Sequence, residues 1–228
     1  MLELWLFEVR VRNLDLFTQI TYVIGRLMPD GVQMLGTGFL FRADGYIATT
    51  QHVVGVDPAN LVILMPHIKS MNEYQDLSDT RCTPVNVSVV ELDPIRDLAV
   101  LKADLGFSGT LPPLTSFDKV DVGAEVGIFG YPHCTEGRRA LTFQKAELGA
   151  KVKITEKNVT TKHAVINVQA RPGQSGSLVF DPASGGVVGV LIGAWAPGRD
   201  GISLGGINPR ELHQTTHCVP AEYLREML

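Results

Sequence analysis

Near the C-terminal third of the chain, Arg171-Pro172-Gly173-Gln174-Ser175-Gly176-Ser177 runs straight into an apolar stretch, Leu178-Val179-Phe180. A serine hydroxyl is a poor nucleophile until a neighbouring base takes its proton. Acyl transfer also needs N–H groups aimed at the oxygen that turns negative during attack. Gly173 can take backbone angles closed to other residues, so the N–H groups of Gly173 and Ser175 can converge on one point. Gly176 leaves room beside the hydroxyl. The same pattern also describes an ordinary glycine-rich hairpin turn, and the base must be sought elsewhere in the chain.

Three further blocks bear on that search: Gly36-Thr37-Gly38-Phe39, the segment Gly45 to Val54 that contains His52, and Asp93-Pro94-Ile95-Arg96-Asp97-Leu98-Ala99-Val100-Leu101-Lys102. Taken in order with the serine loop, these blocks resemble the trypsin-like serine peptidases, and most nearly their HtrA/Deg branch. The likeness runs from about Thr21 to the closing Cys218-Val-Pro-Ala-Glu-Tyr-Leu. The resemblance implies His52 as general base, Asp97 as the group orienting it, Ser175 as nucleophile, and the Gly173 and Ser175 amides as the oxyanion hole. It implies a serine endopeptidase acting on polypeptide through an acyl-enzyme; the sequence itself offers no metal-ligand cluster, phosphate loop or cofactor box, so no cofactor and no metal are expected. His67, His133, His163, His213 and His217 lie outside the matching blocks. Asp93 competes with Asp97 for the orienting role, but it precedes a proline and has the look of turn chemistry. Cys82, Cys134 and Cys218 read as small buried hydrophobes rather than nucleophiles.

The chain also departs from the family. Gln174 stands where digestive-type peptidases carry an aspartate that pairs with a newly released amino terminus, so activation by proteolytic trimming is not expected. Control would have to act otherwise, for instance by ordering of the loop 171–174. Gln169 and Ala170 are expected at the base and wall of the primary pocket, with Leu191, Ile192 and Gly193 as the strand that pairs with substrate. Leu191 and Ile192 favour a small or medium aliphatic substrate side chain. Ser177 follows the serine loop as it does in glutamyl-type peptidases, but the strand around Val190 offers no histidine to match. Two other readings stay open: a silent pseudo-peptidase that binds peptide or protein, and an effector peptidase activated inside a larger complex. A regulatory protein partner or an oligomer is compatible with all three.

The elements that must hold these residues read as short strands broken by turn chemistry. The first series is expected at 21–28, 35–41, 46–50, 60–65, 85–91 and 98–103, with a polar loop over 66–84. A linker with Pro112 and Pro113 leads to a second series at 125–130, 141–152, 164–169, 178–181 and 187–194, and a helix over 220–228 closes the chain. The expected fold is all-β. Two packed six-stranded barrels, about 19–110 and 114–219, form one peptidase domain over 1–228 with the short C-terminal helix. The segment 1–18 fits strand or helix equally.

Composition agrees with a globular chain: 45% of the 228 residues are hydrophobic and 19% charged, with a net charge of −4. No basic stripe suggests nucleic acid, and the apolar run Val187 to Ala196 is too short to span a bilayer. Glu3 and Glu8 interrupt what a signal peptide would keep apolar. An odd count of three cysteines suits a reducing compartment. Cytoplasmic residence is therefore expected.

Overall fold

A computed structural model describes residues 14–156, 158–195 and 215–228. Twelve strands make two closed six-stranded antiparallel barrels. The first holds β1 (Thr21–Met28), β2 (Gly31–Arg42), β3 (Tyr46–Thr49), β4 (Leu61–Leu64), β5 (Pro84–Asp93) and β6 (Leu98–Ala103), in spatial order β1-β2-β3-β6-β5-β4. The second holds β7 (Glu125–Gly130), β8 (Thr142–Glu156), β9 (Val159–Ile166), β10 (Leu178–Phe180), β11 (Val187–Trp195) and β12 (Thr215–Pro220), in the order β10-β11-β12-β9-β8-β7. Among the described residues, barrel closure pairs every strand with a neighbour on each side over at least part of its length.

Alternation sets which face of each strand turns inward. In the first barrel Phe39, Ile47, Ile63, Leu98 and Leu101 are fully buried, and in the second Val126, Ile128, Leu148, Ile166 and Leu191 are. The segment 14–20 is a helix, α1, which settles that part of the undecided N-terminus; residues 1–13 lie outside the described residues. Phe17 of α1 packs its ring against Phe129 at 5.2 Å and Phe180 at 4.3 Å, centroid to centroid. A helix leading into the first barrel therefore seals the second.

Several strands differ in length from expectation. β8 and β9 form a hairpin that reaches Glu156 and Val159, beyond the expected ends. Its outer part alternates exposed lysines with half-buried Val152 and exposed Ile154, which weakens the contrast on which a strand boundary depends. The closing helix is shorter than 220–228: α3 covers Tyr223–Glu226, after β12 has run to Pro220. Thr115 donates to the Val187 carbonyl at 2.7 Å and Val187 to Pro113 at 2.9 Å, so the linker is pinned to the start of β11. Among the described residues no helix is long and apolar enough to cross a membrane.

Candidate active site

His52 sits in a helix of one turn, α2 (Gln51–Val54), between β3 and β4. So short a helix does not hold itself together. Val53 and Val54 are buried and anchor it to β2, and the glycine at 36 makes the approach possible. A Cβ there would lie 2.6 Å from Val53 Cγ2 and 3.1 Å from the Ser175 carbonyl oxygen. The Gly-Thr-Gly block is thus a close contact between strand, helix and serine loop.

Asp97 lies at the end of the β5–β6 turn with φ of 55°, in the left-handed region that aspartate enters more readily than most residues. Its Oδ1 accepts the His52 backbone N–H at 2.9 Å, and its Oδ2 is 2.5 Å from His52 Nδ1. One carboxylate therefore holds both the backbone and the ring of His52. With Nδ1–H donating to that carboxylate, the neutral ring keeps its lone pair on Nε2. Asp93 is occupied otherwise, accepting from the Ile95 and Arg96 N–H groups at 3.1 Å and from the Arg96 guanidinium at 2.8 Å. Arg96 in turn meets Glu226 at 3.1 Å and lies over the Tyr223 ring at 4.1 Å. In this way α3 braces the turn that carries Asp97.

The serine loop is held from both barrels. From the first, Thr37 donates its N–H to the Ser175 carbonyl at 2.9 Å and its hydroxyl to the Gly173 carbonyl at 2.8 Å. From the second, Gln174 donates to Gln144 at 2.6 Å and accepts the Arg171 N–H at 2.7 Å. The His133 N–H donates to the Pro172 carbonyl at 2.6 Å. Because the peptide unit is planar and trans, that contact turns the Gly173 N–H to the opposite face. Among the described residues neither the Gly173 nor the Ser175 N–H donates to any group.

Gly176 is a position only glycine fits. Its φ is +87°, and a Cβ would stand 1.9 Å from the Thr37 carbonyl oxygen. Gly176→Ala is expected to cost about 3 kcal/mol, from the left-handed backbone and the overlap together. In a thermal melt that reads as a fall of roughly 6–12 °C.

His52, Asp97, Ser175, Ile192 and Gly193 line one open cleft of about 430 Å³, together with Ile154, His163 and His217. A Cβ on Gly193 would be 3.8 Å from Ser175 Oγ. Among the described residues no hydrogen bond joins Ser175 Oγ to the His52 ring. The other expected pocket residues lie elsewhere. Leu191 is buried in the core of the second barrel, because alternation along β11 turns it inward and its neighbour Ile192 outward. Ala170 packs against that core and donates its N–H to Thr216 at 2.9 Å, while Gln169 is exposed. His163 and His217 were not singled out from the sequence. Each is an isolated histidine within its strand, and only the pairing of β12 with β9 brings them together.

Burial pushes the Cys134 thiol up to about 12 and the Cys218 thiol higher still, so neither is a nucleophile at neutral pH. Cys82 is exposed, unlike the buried role expected of it.

A family model described as "Trypsin-like peptidase domain" matches residues 36–190. The chain belongs to the trypsin-like peptidase family. Relatives of this family include the magnetosome formation protease MamE of Paramagnetospirillum magneticum, 31% identical across 76% of this chain and 23% of the relative. A probable periplasmic serine endoprotease, DegP-like, of Halomonas elongata is 29% identical across 72% of this chain and 31% of its own length. This chain thus spans under a third of the curated relatives it matches. The family fold is shared with the active form of the Rv3671c protease from M. tuberculosis, at 22% identity and a TM-score of 0.66, covering 96% of this chain and 84% of that one. The HtrA-type protease AlgW with a decapeptide matches at 18% identity and a TM-score of 0.65, covering 95% and 65%. The expected cytoplasmic location finds no support in these names, since the DegP-like relative is called periplasmic.

Proposed function

We propose that this chain is the peptidase domain of a serine endopeptidase, in which Ser175 attacks, His52 moves the proton and Asp97 orients His52. One observation carries the reading. Among the described residues, a carboxylate-held imidazole whose second nitrogen has no partner lines the same cleft as a serine whose own N–H, and that of Gly173, donate to no group. No binding task explains that combination as economically. β10 begins in register with Val190, and Leu191 still bonds back to the serine loop through Ser177 and Gly176 at 2.9 and 2.8 Å; among the described residues no backbone bond from that side reaches Ile192 or Gly193. An extended substrate can add there as a strand, its backbone supplying the hydrogen bonds.

In this mechanism Ser175 Oγ bonds to the scissile carbonyl carbon as its proton passes to His52 Nε2. The carbonyl oxygen takes up the electron pair and the negative charge, facing the Gly173 and Ser175 N–H groups. Collapse breaks the C–N bond, and His52 delivers its proton to the leaving amine. Water then repeats the sequence on the acyl-enzyme and frees Ser175. The Ser175-to-His52 hydrogen bond tightens only once substrate is seated, as is common in free enzymes.

The unformed bond favours a second reading, a chain that stays silent until a protein partner closes the cleft. A fluorophosphonate probe separates the two. The isolated chain is expected to be labelled covalently at Ser175 and to cleave internally quenched peptides. A chain left unlabelled, alone and with its partner, would remove the peptidase reading altogether.

A further inference from the structure

Two histidines face the cleft that the proposed reaction leaves unused. His163 on β9 and His217 on β12 line it beside Ser175, Ile192 and Gly193. His217 is opposite Val165 in the β12–β9 register, which makes His163 its diagonal neighbour on one face of the sheet. The two rings meet edge to face, with centroids 6.1 Å apart and an interplanar angle of 63°. Across β11, His217 is paired with Gly193, where a Cβ would lie 3.8 Å from Ser175 Oγ. Neighbouring strands lie about 4.8 Å apart. The imidazole pair therefore sits within reach of the side chain borne by the residue whose carbonyl Ser175 attacks.

The hydrogen bonds around His163 define its chemistry. The Thr161 hydroxyl donates to the Ile154 carbonyl at 3.3 Å, which leaves His163 Nε2 to donate to Thr161 Oγ1 at 2.9 Å. The neutral ring then carries its lone pair on Nδ1. That nitrogen is buried and has no hydrogen-bond partner among the described residues, in a residue only 8% exposed. A protonated His217 would place its positive charge at the cleft, with the His163 ring packed against it edge to face. Without an anion such a charge is unfavourable there, and burial holds both histidines below their ordinary pKa. The remaining described lining beyond the triad residues is Ile154, Ile192 and Gly193. The Asp97 carboxylate in this lining is held by the backbone N–H and the ring of His52, two donors that partly offset its charge. The site fits an incoming carboxylate, whose negative charge favours uptake of a proton from solvent by His217.

Resting on the peptidase reading, we infer that the cleft selects an acidic side chain at the residue that becomes the acyl group. His217 donates to its carboxylate, and His163 is the positioning residue behind His217. This replaces the aliphatic preference read from Leu191 and Ile192, one of which is core.

Binding tests the inference without needing turnover. The Ser175→Ala chain would be titrated with dye-labelled tetrapeptide acids ending in Glu or in Gln, read by fluorescence polarisation. The Glu peptide is expected to bind at least tenfold more tightly. His217→Gln should equalise the two peptides. His163→Gln should narrow the gap while leaving Gln-peptide affinity unchanged, an effect that loosened packing would not produce. Thermal melts check that both variants fold, and half-buried His217 carries the test if His163→Gln does not. Equal affinities in the parent, or binding of neither peptide, overturn the inference. Probe labelling reads Ser175 separately. A chain that is labelled but indifferent to Glu loses this inference alone, and one that selects Glu but is never labelled loses the peptidase reading alone.

Discussion

Ser175→Ala is expected to lower peptide turnover by about four to six powers of ten and to abolish fluorophosphonate labelling, with no loss of fold. The size follows from what is removed. Without Oγ there is no covalent intermediate, and His52 has no proton to accept. Free N–H groups at Gly173 and Ser175 would still favour a developing oxyanion, so a residue of catalysis above water should persist. Folding should be indifferent. The loop is held through the Ser175 carbonyl, the Gly173 carbonyl and the Gln174 amide, none of which involves the serine hydroxyl. The measurement pairs initial rates on a quenched peptide with a thermal melt. Undiminished rates in a folded variant would mean that another nucleophile does the work.

Local patterns carried most of the fold. The Leu98–Ala103 strand and the turn before it are written in consecutive residues, as an aspartate-proline turn followed by an apolar run, and the same holds for the serine loop. The His52 helix is not visible in this way, because a single turn has no periodicity to read. It exists because Gly36 lets Val53 approach β2, a contact between residues in different elements. Of the expected strand at the cleft, Ile192 and Gly193 line it and Leu191 does not, for a related reason. Leu191, Ile192 and Gly193 were taken together as cleft, whereas strand alternation gives the first to the core and the bulge in the β11–β12 register between Leu191 and Gly193 sets the rest. His163 and His217 are separated by more than fifty residues in the sequence. Nothing local marks them as neighbours, and pairing register across a barrel is the part of a β fold least specified by short segments.

Asp97→Asn is expected to lower kcat by about four powers of ten while the chain folds normally. Asparagine tolerates the left-handed backbone at this position as well as aspartate does, so the turn should survive. The His52 backbone N–H, 2.9 Å from Oδ1, requires an acceptor and so fixes which end of the new amide faces it. The amide NH₂ must then face His52 Nδ1. A ring nitrogen that meets a donor has to accept, and the imidazole proton moves to Nε2, the atom that must be empty to take the Ser175 proton. The histidine stays in place in the wrong tautomer. Asp93→Asn gives the matched control: it loses the charge opposite Arg96 and should shift the melt with little change in kcat. If Asp93→Asn silences the chain and Asp97→Asn leaves its rate within tenfold, the carboxylate that orients His52 has been assigned to the wrong end of the turn.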